Sequence, residues 1–407
     1  MLKRISVQQL TTGMYLKEFC GSWMDHPFWR SSFVITDPQD VATIQASAIK
    51  EVWIDVSKGL DLAAGISAIS EKALSEHVAE SEPLAHSAAV VSLPAKVATA
   101  EEFTRAARII SRSKQAVTLM FNEARLGKAV DTEAAQKLVS DISSSVMRNH
   151  SALISLARLK SIDDYTYMHS VAVCALMVAL AKQLNLDEQQ TQSVGLAGLL
   201  HDLGKSFIPL AILNKPGKLT VEEFKIIKTH PEAGFQLLEK TPNSDPVALD
   251  VLLHHHEKID GSGYPKGLKA EDISLFAKMG AICDVYDAVT SDRPYKAGWD
   301  PSSALRQMAE WPGHFDPQVF QAFVKSLGVY PIGSLVSLKS GRIGVVIDQT
   351  SKSLLMPRVK VFFSKKLDAR IPPEIVDLSR PHSPERIVSR EDPDKWDFPD
   401  LNDLWSS

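Results

Sequence analysis

Polar groups of metal-binding type recur inside segments that otherwise read as buried helix, and this restricts the fold more than any other feature of the chain. The apolar run Gly195-Leu196-Ala197-Gly198-Leu199-Leu200 ends in His201-Asp202, an imidazole beside a carboxylate, and continues as Leu203-Gly204-Lys205. Downstream come His230, then His254-His255-His256-Glu257, then the loop Asp260-Gly261-Ser262-Gly263-Tyr264-Pro265. Burying such groups without partners costs roughly 2–7 kcal/mol each. A bound metal is the natural compensation.

At 407 residues the chain is long for one domain, and two or three are expected. Hydrophobic residues at 44% and charged residues at 23% place it with soluble globular proteins. A net charge of −4 argues against duplex nucleic acid as a partner and leaves room for a small phosphate ligand held by local cations. Cys20, Cys174 and Cys283 form no CxxC pair and read as small core residues in a reducing cytosol. The N-terminus lacks a signal-peptide pattern. The longest apolar run, residues 171–181, is short of the roughly 20 residues that cross a bilayer. A cytoplasmic protein with no membrane partner is expected.

Residues 1–60 predict a small α+β module, with strands at 33–35 and 51–55 and a helix at 39–48. Trp23, Phe28 and Trp29 are expected in its core or an interface. Residues 61–100, rich in Ala, Ser and Glu, read as a linker. Residues 101–157 read as a helical connector, with one helix to about Leu126 and a second from the Asp131 cap towards Leu159. Arg105, Arg108, Arg112, Lys114 and Arg125 are taken as a solvated face of the first helix. Residues 158–328 read almost wholly as helix, with caps at Asp164 and Asp187 and a capping box at Thr220 and Glu223. Residues 329–378 predict a small β appendage, with strands at 334–338, 343–347 and 359–363, and residues 379–407 a loosely ordered tail. The expected fold class is therefore mainly α: a helical bundle preceded by a small α+β module and followed by a small β appendage.

Seven residues on the helical segments stand out as candidate ligands: His169, His201, Asp202, His230, His255, His256 and Asp284. Mixed imidazole and carboxylate donors suit Fe, Mn, Zn or Ni. Seven exceed the needs of one tetrahedral ion, so at least two are expected, with Asp202 as a bridge about 3.5–4 Å wide. Adjacent helical residues point about 100° apart, which leaves His254 as the spare of the triple. Lys205 lies near the same face as Asp202, and Arg293 and Lys296 follow Asp284 as candidate phosphate clamps. Gly261, Gly263 and Gly267 permit close backbone approach to a ligand, and Tyr264 could stack on a nucleotide.

Together these residues resemble the HD-GYP family, a branch of the HD phosphohydrolase superfamily. The matching motifs are His201-Asp202-Leu203-Gly204-Lys205, the run Leu213-Asn214-Lys215-Pro216-Gly217-Lys218-Leu219-Thr220, and His255-His256-Glu257 through Gly263-Tyr264-Pro265. Tyr165-Thr166-Tyr167-Met168-His169-Ser170, Asp284-Val285-Tyr286-Asp287-Ala288 and Ser291-Asp292-Arg293-Pro294-Tyr295-Lys296 extend the match, which covers roughly residues 158–327. The resemblance implies an HD-type helical bundle with a di- or trinuclear Fe or Mn centre, hydrolysing cyclic di-GMP to pGpG and then GMP by a metal-bridged hydroxide. It implies metal roles for the seven candidates, a catalytic role for His201, Asp202 and Lys205, and substrate contacts through Lys205, Tyr264, Arg293 and Lys296.

Some members carry a glutamate four residues before the first ligand histidine, where it helps hold a third ion; Tyr165 stands there in this chain and favours two divalent ions. Ala172, Ser274 and Lys278 stand where Asn, Pro and Arg are common, departures that could shift substrate preference. Relatives that cleave 3′3′-cyclic GMP-AMP share the motifs, and members that have lost ligands act as sensing scaffolds; the intact ligand set favours an enzyme. The first 60 residues are similar to an uncharacterised module often found ahead of this domain, a candidate site for a protein partner or dimerisation.

Overall fold

In the computed structural model the described residues are 2–20, 33–45, 50–61, 69–70, 99–158, 165–215, 217, 219–291, 298–349, 355–380, 383–396 and 398–406. The chain divides into two compact units, Met1–Leu93 with Ala309–His314, and Pro94–Met308 with Phe315–Ser407. Among the described residues no helix is long and apolar enough to cross a membrane.

The first unit is built on an antiparallel sheet of β1 (Leu2–Ser6), β2 (Tyr15–Cys20), β3 (Phe33–Val34), β4 (Glu51–Asp55) and β5 (Ile69–Ser70), in the order β3-β2-β4-β1-β5, with a 3₁₀ turn (Val7–Gln9) and, among the described residues, one α-helix, α1 (Pro38–Gln45). Ile5 faces Val52 in the β1–β4 register. Both join Leu16, Ile35, Ile44 and Ile54 in one buried cluster, so the strand alternation of these segments is used to build a one-sided core. Trp23, Phe28 and Trp29 lie outside the described residues, as does most of the expected linker; of its described residues, Ile69–Ser70 pair with β1, and Thr99 and Ala100 already belong to the helix that follows.

The second unit opens with α2 (Thr99–Arg125), α3 (Thr132–Arg148) and α4 (His150–Arg158). The expected single helix after Asp131 is broken at Asn149, whose backbone leaves the helical region while its side-chain oxygen accepts from Ser151 N and Ala152 N at 3.1 and 3.2 Å. Asn is a strong N-cap, so one side chain ends α3 and starts α4. Next come α5 (Tyr165–Gln183) and α6 (Glu188–Leu200), the latter begun by a capping box between Asp187 and Gln190. Nearly every residue of α5 from Met168 to Ala181 is buried, as befits a helix apolar on all sides. A methyl group on Gly198 would lie 2.9 Å from the Cys174 Cα, so the glycine lets α6 lie directly on α5. Cys174 and Cys283 are buried free thiols.

After α6 the chain makes a 3₁₀ turn (Leu203–Phe207) and continues through α7 (Leu210–Leu213), α8 (Val221–Ile227), α9 (His230–Glu239), α10 (Pro246–His254), α11 (Leu275–Thr290), α12 (Pro301–Ala309) and α13 (Pro317–Leu327). The expected capping box at Thr220 and Glu223 starts α8, while Asp245, Ser274 and Asp316 cap α10, α11 and α13.

A second antiparallel sheet follows, β6 (Leu335–Leu338), β7 (Arg342–Asp348), β8 (Arg358–Ser364), β9 (Ala369–Asp377) and β10 (Ile387–Arg390), ordered β10-β6-β7-β8-β9, and the last helix is α14 (Leu401–Ser406). The sequence expectation of a loosely ordered tail is corrected here. Residues in 379–407 supply β10, which pairs with β6, and Trp405, which is 1% exposed. Trp405 packs in one cluster with Phe103 of α2, Ala152 of α4, and Phe362 and Phe363 of β8. The stretches read as connector and appendage therefore share a core, because neither the two-turn aromatic tail nor the open sheet face could exclude water alone.

Candidate metal centre

Four of the candidate histidines and the candidate bridge come from helix ends. His201 and Asp202 follow the last turn of α6; His201 still has helical angles (φ −52°, ψ −35°) and Asp202 leaves them (φ −99°, ψ 9°). His230 opens α9, His255 is the residue after α10, and His256 follows it. His169 lies inside α5 and Asp284 inside α11. Gly204 sets the distance between two of these ends: a Cβ there would stand 1.8 Å from the His230 carbonyl oxygen and 2.7 Å from Gly234 N. Only a residue without a side chain lets the turn after His201-Asp202 lie against the start of α9.

The histidines are aimed by their Nδ1 atoms. Nδ1 of His201 meets the Gly198 carbonyl at 2.8 Å, that of His230 the Ile227 carbonyl at 2.8 Å, and that of His255 the Val251 and Leu252 carbonyls, each at 3.1 Å. Nδ1 of His169 meets Asp287 Oδ2 at 2.6 Å. A proton committed on Nδ1 leaves Nε2 as a bare lone pair. These lone pairs converge: His169 Nε2 to His201 Nε2 is 3.2 Å and His230 Nε2 to His255 Nε2 is 3.4 Å.

Asp202 stands between the two pairs. Its Oδ1 faces His230 and His255 Nε2 at 3.3 and 3.8 Å, and its Oδ2 faces His201 and His169 Nε2 at 3.4 and 3.6 Å. Asp284 closes the ring, with Oδ1 2.9 Å from His169 Nε2 and 3.8 Å from His201 Nε2, and Oδ2 3.7 Å from His256 Nδ1. Two ligand groups result, Asp202-His230-His255-His256 and His169-His201-Asp202, each with donor atoms within 4.8 Å of one another.

The residues fit divalent ions. Asp202 Oδ1 is fully buried, and among the described residues no hydrogen-bond donor reaches it. Opposed lone pairs on oxygen and nitrogen repel unless a cation or proton lies between them. Burial tends to raise the Asp202 pKa, but the Lys205 ammonium and His201 outweigh it and hold the carboxyl well below its usual range. Asp284 behaves alike: burial is outweighed by the His169 hydrogen bond and the neighbouring imidazoles. Burial pushes His230 down to about 4 and His255 to about 3, and lowers His256 well below its ordinary value. His201 moves the other way, since the charges of Asp202 and Asp284 overcome its burial. Two ionised carboxylates beside His230, His255 and His256, which burial keeps neutral, form a donor set that calls for divalent cations.

Lys205 Nζ sits 2.5 Å from Asp202 Oδ2. Tyr264 stacks on His256, with ring centroids 4.7 Å apart and planes 24° from parallel, and Lys228 Nζ lies 5.0 Å from the Tyr264 ring centroid. Burial and the charges of Asp284 and Asp202 raise the Tyr264 pKa, so its hydroxyl keeps its proton. A Cβ on Gly263 would fall 2.4 Å from Lys258 N, so this glycine lets the loop fold back onto the ligand segment. His254 turns away from the cluster to Asp250, Nδ1 to Oδ1 2.8 Å. Arg293 and Lys296 lie outside the described residues, and so does the Tyr165 side chain.

Two residues quoted within the motifs carry functions that sequence reasoning did not assign. Asp287, one helical turn after Asp284, supports His169 from behind; its i+3 spacing was the available signal. Glu257 is buried and accepts from the backbone N–H groups of Lys266, Gly267 and Leu268 at 2.7, 3.1 and 3.0 Å, which pins the loop carrying Tyr264. A third, Arg125, is exposed, as its solvated helix face predicts, and its Nε also donates to the Ser206 carbonyl at 3.1 Å, next to Lys205.

The chain is similar to known proteins along its whole length. A family model described as HD domain matches residues 137–319, and one described as a domain of unknown function, DUF3391, matches residues 2–135. The chain is 53% identical over 407 residues to the cyclic di-GMP phosphodiesterase PA4108 of Pseudomonas aeruginosa, spanning 100% of this chain and 96% of that protein. It is 37% identical over 193 residues to the cyclic di-GMP phosphodiesterase response regulator RpfG of Xanthomonas campestris, 47% of this chain and 51% of that one. It is 36% identical over 169 residues to the 3′3′-cGAMP-specific phosphodiesterase 1 of Vibrio cholerae, 41% of this chain and 39% of that one. A bundle that gathers His169, His201-Asp202, His230, His255-His256 and Asp284, joined to that full-length likeness, leads to one conclusion: the chain belongs to the HD-GYP family of the HD phosphohydrolases.

Proposed function

We propose that this chain is a metal-dependent phosphodiesterase that hydrolyses cyclic di-GMP to pGpG and on to GMP. The observation that carries the reading is Asp202, whose two oxygens face two separate histidine pairs in a buried ring. The full-length likeness to a protein named as a cyclic di-GMP phosphodiesterase supports the substrate. His169, His201, Asp202 and Asp284 would hold one ion and Asp202, His230, His255 and His256 the other, with Fe or Mn suited to this nitrogen–oxygen set. Bound divalent ions neutralise charge on the phosphoryl group and bring the pKa of bound water towards neutrality.

The chain's own groups do the rest. Lys205 places its ammonium beside Asp202, where negative charge grows on the phosphoryl and leaving oxygens, and a cation already in position needs no reorganisation. Tyr264, locked against His256 and kept protonated, offers a flat face to a base and a hydroxyl donor to a phosphate. Glu257 holds the backbone of that loop so that Tyr264 does not have to be ordered when substrate binds. Arg293 and Lys296 complete the phosphate contacts in this reading.

The test is direct. Anaerobically purified protein is loaded with Fe or Mn and offered cyclic di-GMP, with products followed by chromatography. Turnover to pGpG and GMP is expected, and the double change His201→Ala with Asp202→Ala should abolish it together with metal retention. Failure of the loaded wild type to cleave cyclic di-GMP would sink the proposal. The Vibrio cholerae relative supports a second reading, cleavage of 3′3′-cyclic GMP-AMP, and the same assay with that substrate separates the two.

A further inference from the structure

Beside the candidate metal centre the second unit contains a polar cavity of about 130 Å³, lined by Phe121, Asn122 and Arg125 of α2, Tyr167 of α5, Lys205, and Leu210, Leu213 and Asn214 around α7. Among the described residues its lining holds two cations, two amides and a phenol, and no carboxylate. Lys205 is paired with Asp202 at 2.5 Å, so the charge this wall leaves for an incoming anion is that of Arg125, which donates to a neutral carbonyl. Lys205 belongs both to this lining and, through its ammonium on Asp202, to the candidate metal centre.

Arg125 is pre-aimed. Its Nε donates to the carbonyl of Ser206, 81 positions away in sequence, which fixes the guanidinium plane next to Lys205. No described residue accepts from its two Nη groups, and Arg125 lines the cavity, so these donors remain for the planar contact that suits a phosphate. Phe121 and Tyr167 pack edge to face, centroids 5.7 Å apart, and hold this wall between α2 and α5. Arg125 belongs to a helix that lies before the HD domain match.

We propose that this cavity is a second-phosphate subsite, in which Arg125, with Asn122 beside it, binds the diester of the cyclic dinucleotide that is not being cut. The inference rests on the phosphodiesterase reading above. A cyclic dinucleotide carries two phosphates in one closed ring, so when one lies at the metal cluster the other falls within a ring's breadth of it, on the far side of Lys205. After the first cut the same contact retains the linear product, and its new terminal phosphate is free to leave the metals.

The test uses the full Mn-loaded chain with Arg125→Gln and, separately, Asn122→Asp, an exposed position where a carboxylate adds repulsion without disturbing the core. Each variant is assayed on cyclic di-GMP and on bis(4-nitrophenyl) phosphate, which has a single phosphate, and cyclic di-GMP binding to the metal-free chain is measured by calorimetry. Both variants should raise KM and Kd for cyclic di-GMP about 10-fold or more. The ratio of kcat/KM for cyclic di-GMP to that for the small diester should fall by a similar factor. Unchanged KM and Kd overturn the subsite. Equal losses on both substrates also overturn it, because Arg125 would then act through Ser206 and Lys205. Wild-type protein that binds cyclic di-GMP without cleaving it would refute the phosphodiesterase reading alone, and the calorimetry would still decide the subsite. Wild-type protein that does neither refutes both.

Discussion

Replacing Asp287 by Asn changes the shape of the site hardly at all; Oδ1, which accepts from Ser291 Oγ at 3.3 Å, can stay an oxygen acceptor, and the change falls on what stands behind His169. Asp287 Oδ2 meets His169 Nδ1 at 2.6 Å with both side chains buried, so the ring turns Nε2 towards Asp284 at 2.9 Å and Asp202 at 3.6 Å. An amide oxygen accepts this proton less strongly, and an amide turned over presents N–H instead, driving the ring proton onto Nε2. Loss of such a supporting carboxylate typically costs about 10–100-fold in metal affinity, or about 1.4–2.8 kcal/mol. The loss should be one-sided. His230 and His255 rest on their own backbone carbonyls and do not touch Asp287. Titration of metal-free Asp287→Asn with Mn²⁺ against a competing chelator should therefore show one ion bound as in the wild type and one bound weakly, with an unchanged circular dichroism spectrum. Two ions of wild-type affinity, or equal weakening of both, would refute the assignment of Asp287 to His169 and its half of the centre.

Gly204→Ala puts a methyl group 1.8 Å from the His230 carbonyl, far inside contact distance, so α9 must move. Ligand geometry tolerates only about 0.2 Å, so metal retention should be lost along with about 3 kcal/mol of stability by urea unfolding; a variant that melts and binds metal like the wild type would show the packing argument to be wrong. Trp405→Ala, two residues from the end of the chain, should cost about 3–5 kcal/mol in the same measurement, because the indole is 1% exposed among Phe103, Phe362 and Phe363. Glu102→Gln should cost about 2 kcal/mol at pH 7, since Glu102 is buried and accepts from Ser145 and twice from Arg148. Burial pushes the Glu102 pKa up, but those hydrogen bonds and the Arg148 charge outweigh it and hold the value below 4.5. A depressed carboxyl contributes its stability above the unfolded value and loses it as pH falls, so the gap between wild type and Glu102→Gln should be full above about pH 4.5 and close below it. A gap that keeps its full neutral-pH size however far the pH is lowered would contradict this.

The helical bundle is legible in the sequence because its signals are local. Asp187, Thr220, Asp245 and Asp316 satisfy helix N-termini a few residues away, and such caps can be read wherever they stand. The candidate ligands are legible for a related reason: imidazoles and carboxylates in an apolar helix are expensive, and their number implies a common compensation. Even the aim of three histidines is local. His201, His230 and His255 each turn Nδ1 to a carbonyl three residues earlier, at helix ends where such oxygens are available.

Tertiary structure decides the rest. His169 lies mid-helix, where the preceding carbonyls serve the helix itself, so its orientation depends on Asp287, 118 residues later on α11. Arg125 follows a helical face that sequence alone marks as solvated; only the approach of the 3₁₀ turn at Ser206 makes it a wall of the cavity. The last 29 residues carry no helical period, and their order comes from an edge of β6 and from aromatic rings contributed by α2 and β8. By itself the sequence determined which residues are too polar for a core and where helices begin and end. Tertiary structure alone decided which lone pairs meet, because contacts between distant segments leave no local spacing to read.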